Sequence, residues 1–338
     1  MKFLSHSFKN LATTKLLSNE FYVILCYTIT KERRNNMKKK TAATLVLLAG
    51  AIVGFTGILA IDVACKQRPK DKLKDPKILD KYIEWLDQQT FEHMEITSQD
   101  GLKLKAKFLK ADCLSDKVLI AIHGYRSYNI RQYANYLKFY HELGFHILLP
   151  DNRAHGESEG KYIGFGWLDR LDCIQWIHIM KDYFQKDIQI VLHGISMGSA
   201  TVLMASGEEL PSDVKCIISD CGFTSVLDEF KYKFHHHKLS SSIIIPTATL
   251  LSKKRVGYSF KEASTIEQVK KSRTPTLFIH GDQDDYVPTY MVYDLYNACH
   301  ARKDLLIVEG AKHAESFIVN QELCEKTIVD FMHEFVQF

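Results

Sequence analysis

Gly194-Ile195-Ser196-Met197-Gly198 directly follows the apolar run Ile188-Gln189-Ile190-Val191-Leu192-His193 and directly precedes a helix-like stretch, Ser199 to Glu209. The reading is a strand, a sharp turn and a helix with a serine at the apex. A serine hydroxyl is a weak nucleophile unless it is held exposed beside a base and oxyanion donors, and a strained elbow supplies that exposure. Glycine at 194 and 198 fits the crowding of strand and helix, where a side chain would collide. Further along the chain the buried-strand pattern Thr276-Leu277-Phe278-Ile279-His280 runs into the acid-rich loop Gly281-Asp282-Gln283-Asp284-Asp285-Tyr286-Val287-Pro288. Another apolar run, Leu305-Leu306-Ile307-Val308, gives way to Glu309-Gly310-Ala311-Lys312-His313. Serine, acid and histidine thus follow one another at three strand ends, where reactive groups gather in an open α/β sheet.

Further landmarks carry a resemblance. His123-Gly124 follows the strand-like Val118-Leu119-Ile120-Ala121-Ile122, and Asp151-Asn152-Arg153-Ala154-His155-Gly156-Glu157-Ser158 follows Ile147-Leu148-Leu149-Pro150. The first matches an oxyanion-loop position, the second a D-x-R-x-H-G-x-S turn, and residues 275 to 288 a P-x-L-x-x-H-G-x-x-D-x-x-V-P segment. Over roughly residues 90 to 338 the chain resembles the α/β-hydrolase superfamily, and within it the membrane-anchored bacterial serine hydrolases of unassigned substrate. The resemblance implies a catalytic triad of Ser196, Asp284 and His313. Asp284 is chosen by family spacing, three residues after His280-Gly281, which leaves Asp282 and Asp285 as loop caps or solvated charges. It also implies that the backbone N–H groups of Tyr125 and Met197 are the oxyanion donors, although His123-Gly124-Tyr125-Arg126 departs from the His-Gly-Gly-Gly loop of many lipases. His123, His155, His193 and His280 are read as structural. The expected activity is cleavage of carboxylic esters or thioesters through an acyl-enzyme, with a serine peptidase or a noncatalytic binding protein of the same fold as the alternatives.

Composition agrees. A chain of 338 residues with 46% hydrophobic content can bury one large core. Trp167, Leu171, Ile174, Ile177 and Met180 recur at helical spacing between two strand-like runs, so a mostly parallel central sheet flanked by helices is expected. Phe91–Thr97 and Leu102–Leu109 flank Ser98-Gln99-Asp100-Gly101, an antiparallel hairpin signal. Residues 225–262 form an insertion, expected as a small helical cap over the active site; Ile243-Ile244-Ile245-Pro246 and Leu250-Leu251 would line an acyl pocket or pack the cap. His235-His236-His237 point in different directions on any regular element and read as a solvated basic patch, not a metal site. The net charge of +4 is too mild for nucleic acid. No metal, nucleotide or flavin motif is present, so no cofactor is expected, and the expected partners are a small-molecule or lipid-like acyl substrate and a membrane. The eight cysteines lack zinc-site spacing, and several lie in predicted buried elements as small apolar fillers.

The amino end supplies the membrane. Lys38-Lys39-Lys40 precede an uncharged apolar run from Thr41 to Ile61, and about 20 such residues cross a bilayer. Residues 37–65 are read as a retained transmembrane anchor, since Asp62 spoils a lipoprotein site at Cys65. Residues 66–90 are a charged linker and a docking helix starting at Asp75-Pro76, with Ile78, Leu79, Tyr82, Ile83 and Leu86 as its apolar face; residues 91–338 are the α/β-hydrolase domain. The short lysine-rich amino end favours a catalytic domain on the outer face, while the lysines after the span and the unpaired cysteines argue for the inner one. Lys31-Glu32-Arg33-Arg34 can be encoded by a purine-rich ribosome-binding sequence just before Met37. Residues 1–36 are therefore expected to be a mis-assigned leader, or else a disordered extension, and the intact mass of the native protein distinguishes the two.

Overall fold

The computed structural model describes residues 39–67, 82–236 and 242–338. The expectations for residues 1–36, for the helix start at Asp75-Pro76 and for His237 lie outside them. The chain divides into two compact units, one formed by residues up to Lys66 with Leu227–Lys261, the other by Gln67–Val226 with Glu262–Phe338.

The larger unit holds the sheet. Its strands are β1 (Phe91–Thr97), β2 (Lys103–Leu109), β3 (Lys117–Ile122), β4 (His146–Pro150), β5 (Gln189–Ile195), β6 (Val214–Asp220), β7 (Thr276–Gly281) and β8 (Lys303–Val308). They lie in the order β1-β2-β4-β3-β5-β6-β7-β8. β1 and β2 run antiparallel at one edge, β2 is antiparallel to β4, and β4 through β8 are parallel. The expected hairpin is there: Ser98 Oγ donates to Asp100 Oδ1 at 2.6 Å and accepts the Leu102 N–H at 2.8 Å. β5 and β7 are buried along their whole length, as continuous apolar runs require when helices cover both faces of a parallel sheet.

Helix α1 spans Lys39–Cys65, α2 Asn129–Glu142 and α3 Asp169–Phe184. On one face of the sheet α3 buries Cys173, Trp176, Ile177 and Met180; of the expected stripe Ile177 and Met180 are buried there, while Ile174 and Leu171 are only partly buried. Trp167 falls just before α3, where the Arg170 guanidinium stacks 3.6 Å from its ring centroid. On the other face α2 contributes Tyr133, Leu137 and Tyr140 to a second core with Phe317, Ile328 and Phe331. The described part of the docking segment is a single turn, Ile83–Leu86; Trp85 and Leu86 pack on this second core, whereas Ile83 is exposed because one turn presents only one face. Six of the seven described cysteines are buried as free thiols, and Cys113 alone among them is exposed.

After α4 (Met197–Ala205) the chain reaches the insertion, which folds as α5 (Val226–His236) and α6 (Ile244–Val256). In the smaller unit Ile245 and Phe234 are buried among Val63, Leu227, Phe230 and Ile244. Val63 belongs to α1, whose segment Val46–Cys65 is long and apolar enough to cross a membrane and is only slightly buried. His235 and His236 are exposed at the end of α5, as a solvated patch should be.

Candidate active site

The nucleophile elbow is built by steric exclusion. Ser196 sits at φ 58°, ψ −114°, a conformation that L-residues adopt only under constraint from their surroundings. A Cβ on Gly194 would stand 2.2 Å from the Gly198 carbonyl oxygen, and one on Gly198 would stand 1.8 Å from that of Ile122. Only glycine at both places lets β5 turn into α4 against the neighbouring strand β3. The Ser196 N–H donates to the Asp220 carbonyl at 2.8 Å, which ties the apex to the end of β6.

The three residues expected from the sequence meet. His313 Nε2 lies 2.8 Å from Ser196 Oγ, and His313 Nδ1 lies 2.7 Å from Asp284 Oδ2. Since Asp284 can only accept when ionised, Nδ1 carries the proton and Nε2 offers its lone pair to the serine hydroxyl. The Asp284 side chain is fully buried and uses both oxygens. Oδ1 accepts the N–H groups of Tyr286 at 2.9 Å and Val287 at 2.8 Å. Oδ2 takes His313 and, at 3.2 Å, His280 Nε2. Burial pushes this carboxyl up, but the hydrogen bonds from His280 and His313 outweigh it and hold Asp284 well below the usual carboxylate range. Asp282 accepts the Gly310 N–H at 2.7 Å, clipping the acid loop to the histidine loop, and Asp285 is exposed.

The structural role expected of His280 is only part of what it does. Its Nε2–H donates to a backbone group, the Val287 carbonyl at 2.9 Å, but it also reaches Asp284. The spacing His280-x-x-x-Asp284 carries the signal: a turn that brings Val287 back over the strand end also brings Asp284.

Met197 opens α4 immediately after Ser196, and a Cβ on Gly124 would stand 3.3 Å from the Ser196 Cβ, so the His123–Tyr125 segment runs against Ser196. The Tyr125 ring stacks on Phe165, with centroids 5.2 Å apart. This segment is braced from behind by the turn after β4. His123 Nδ1–H donates to Gly124 O while Nε2 accepts the Asn152 N–H, and Asn152 Nδ2 donates to His123 O. His155 Nδ1–H donates to Arg153 O while Nε2 accepts the Arg126 N–H. Burial lowers His123 to about 4 and His155 to about 3, so both act as neutral brackets, in keeping with the structural reading. Arg153, itself buried, makes a bidentate bond to Asp172 at 2.8 Å through both Nε and Nη2, and reaches Asp100 at 2.8 Å through Nη1.

Cys221 Sγ lies with Asp284 and His313 in a cluster of side-chain donors within 4.8 Å of one another, the one such group among the described residues. It suits a metal poorly: two of its members already bond each other, and burial raises the Cys221 thiol well above its ordinary range, keeping it protonated.

Strand order, elbow and the chain order of the three residues define an α/β-hydrolase. Residues 131–337 match the prolyl oligopeptidase family, peptidase S9, and the chain belongs to it. It is 29% identical over 250 residues to the uncharacterized protein YqkD of Bacillus subtilis, covering 72% of this chain and 81% of that one. It is 25% identical over 210 residues to the uncharacterized membrane protein YNL320W of Saccharomyces cerevisiae, covering 62% of this chain and 68% of the yeast protein. The esterase Pf2001 of Pyrococcus furiosus has the same fold, with a TM-score of 0.61 at 23% identity over 80% of this chain and 98% of the esterase.

Proposed function

We propose that the protein is a membrane-tethered serine hydrolase that cleaves carboxylic esters or thioesters through an acyl-enzyme on Ser196. The observation that carries the reading is the continuous relay from Ser196 Oγ through both nitrogens of His313 to Asp284. Ser196 Oγ attacks the acyl carbonyl as His313 Nε2 takes its proton. The oxyanion of the tetrahedral intermediate is received by the N–H groups of Met197 and Tyr125, each worth about 3 kcal/mol in sites of this type. Collapse expels the alkoxide or thiolate, which leaves with the proton from His313 Nε2. Water, activated by the same nitrogen, then attacks the acyl carbonyl and restores Ser196. Asp284 keeps the proton on Nδ1 and offsets the imidazolium charge.

Tethering is supported by the apolar span Val46–Cys65 and by the name of the yeast relative as a membrane protein. We place the catalytic unit on the outer face, from the short lysine-rich amino end. A membrane-impermeant maleimide should then label the exposed Cys113 in intact cells; labelling only after lysis would reverse the orientation.

Membership of the prolyl oligopeptidase family favours a second reading, cleavage of peptide amides by the same relay. The deciding experiment is hydrolysis of nitrophenyl esters from acetyl to palmitoyl, beside peptidyl nitroanilides, by the full chain in detergent and by its Ser196→Ala variant. Ser196-dependent ester turnover well above nitroanilide turnover supports the esterase; the reverse order supports the peptidase. Absence of Ser196-dependent turnover from folded protein would leave a binding protein as the better account.

A further inference from the structure

We propose that the insertion helix α6 is a second membrane element, lying beside the anchor α1 with its outward apolar face in the bilayer and its basic last turn among anionic headgroups. This rests on the membrane reading of α1. Four observations within the smaller unit carry it.

The two helices are packed at close range. A Cβ on Gly57 would stand 2.7 Å from Thr247 Cγ2 and 3.3 Å from the Ala248 backbone nitrogen. Small residues that let helix backbones approach are the usual means by which helices associate in lipid, where burial of apolar surface offers little gain. Five residues further along α1, Asp62 accepts two hydrogen bonds from Arg255, from Nε at 2.9 Å and Nη2 at 2.6 Å. The helices therefore run in the same direction, with Gly57 level with Thr247 and Asp62 level with Arg255.

That register aligns their polarity. α1 is uncharged from Thr41 to Ile61, and its first carboxylate is Asp62. On α6 the buried residues Ile245, Ala248, Ser252 and Val256 form one face. The opposite face presents Ile243, Pro246 and Leu250, followed by Lys253 and Lys254. Leu250 is 81% exposed, and Phe55 on α1 is 65% exposed. The outward residues of α6 are thus apolar alongside the apolar part of α1 and turn basic at the level where α1 acquires its charge. Both helices mark one boundary between hydrocarbon and water. A carboxylate one turn inside the end of the span is compatible with that boundary because Arg255 neutralises it. Lysines at this depth extend to the headgroups, where anionic lipid favours them.

The test uses the full chain with Leu250→Trp, reconstituted in vesicles of phosphatidylcholine and phosphatidylglycerol. The vesicles carry either plain acyl chains or chains brominated near the headgroup, and native tryptophan emission is subtracted with the unsubstituted protein. Leu114→Trp, at a 99% exposed site in the other unit, is the comparison. The proposal expects emission from Trp at position 250 to shift to the blue and to be quenched by brominated chains, while that from position 114 is not. A second reporter, Ile243→Trp, should be quenched likewise. Protein that floats with the vesicles but shows no more quenching at 250 and 243 than at 114 would overturn the proposal and leave the anchor reading standing. Protein that does not float would overturn both.

Discussion

His280 Nε2 stands 3.2 Å from Asp284 Oδ2, the same oxygen that His313 Nδ1 occupies at 2.7 Å. Asp284 therefore faces two histidines, one that also reaches Ser196 Oγ and one fixed by its bond to the Val287 carbonyl. In the proposed mechanism His280 would be a positioning residue, holding the carboxylate plane that in turn holds the imidazole.

Loss of that contact should slow turnover without changing substrate binding. A hydrogen bond to a charged group is worth about 1.5–3 kcal/mol, so His280→Phe is expected to lower kcat roughly tenfold or more at constant KM. His280→Gln, which keeps an N–H donor at similar reach, should recover most of it. Equal losses in both variants would assign His280 to packing alone.

Asp284→Asn should be far more severe, about 10⁴-fold in kcat, because the amide can donate to Nδ1 and stabilise the wrong tautomer. Labelling of Ser196 by a fluorophosphonate, followed against time, reads this without knowledge of the substrate. A variant that labels at the unsubstituted rate would remove Asp284 from the triad.

Gly198→Ala puts a methyl group 1.8 Å from the Ile122 carbonyl oxygen. The backbone cannot yield without moving β3 from β5, so a loss of about 3 kcal/mol or more in denaturant unfolding is expected, together with loss of labelling at Ser196. An unchanged unfolding midpoint would show that the elbow has room the geometry does not suggest.

Arg153 offsets a buried acid. Burial raises Asp172, and removal of its guanidinium partner would leave a carboxylate in a dry site. Arg153→Met should cost about 3–5 kcal/mol, and Arg153→Met with Asp172→Asn much less, since the uncompensated charge is gone. Additive losses in the double variant would mean that the two residues are not energetically coupled.

Asp220 gives the stability a pH dependence. Burial pushes its carboxyl up to about 6, against the hydrogen bond that Tyr136 donates at 3.0 Å and the nearby His280 and His313. Because the folded value exceeds the unfolded one of about 3.9, the folded protein binds the extra proton. That contribution is complete below about pH 4 and is lost as pH rises to about 6. Asp220→Asn should therefore raise the unfolding free energy at pH 8, by about 3 kcal/mol, and leave it nearly unchanged at pH 4. A gain of equal size at both pH values would assign the effect to packing.

The sequence alone determined what short-range physics dictates. Glycines at 194 and 198 encode the elbow through collisions within a few residues, the apolar runs encode strands buried on both faces, and the order of Ser196, Asp284 and His313 follows from which strand each one ends. Tertiary structure decided the rest. Ser196 and His313 are 117 residues apart in the chain, and their 2.8 Å contact depends on the parallel register of β5 through β8. The double use of Asp284 leaves only the spacing His280-x-x-x-Asp284 in the sequence, and that spacing does not by itself distinguish a ring that meets only a carbonyl from one that also meets the carboxylate. The insertion, read as a cap from its position in the chain, shows its close partner α1 only in three dimensions. No local pattern links Gly57 with Thr247, or Asp62 with Arg255, because the pairing comes from the packing of two helices nearly two hundred residues apart.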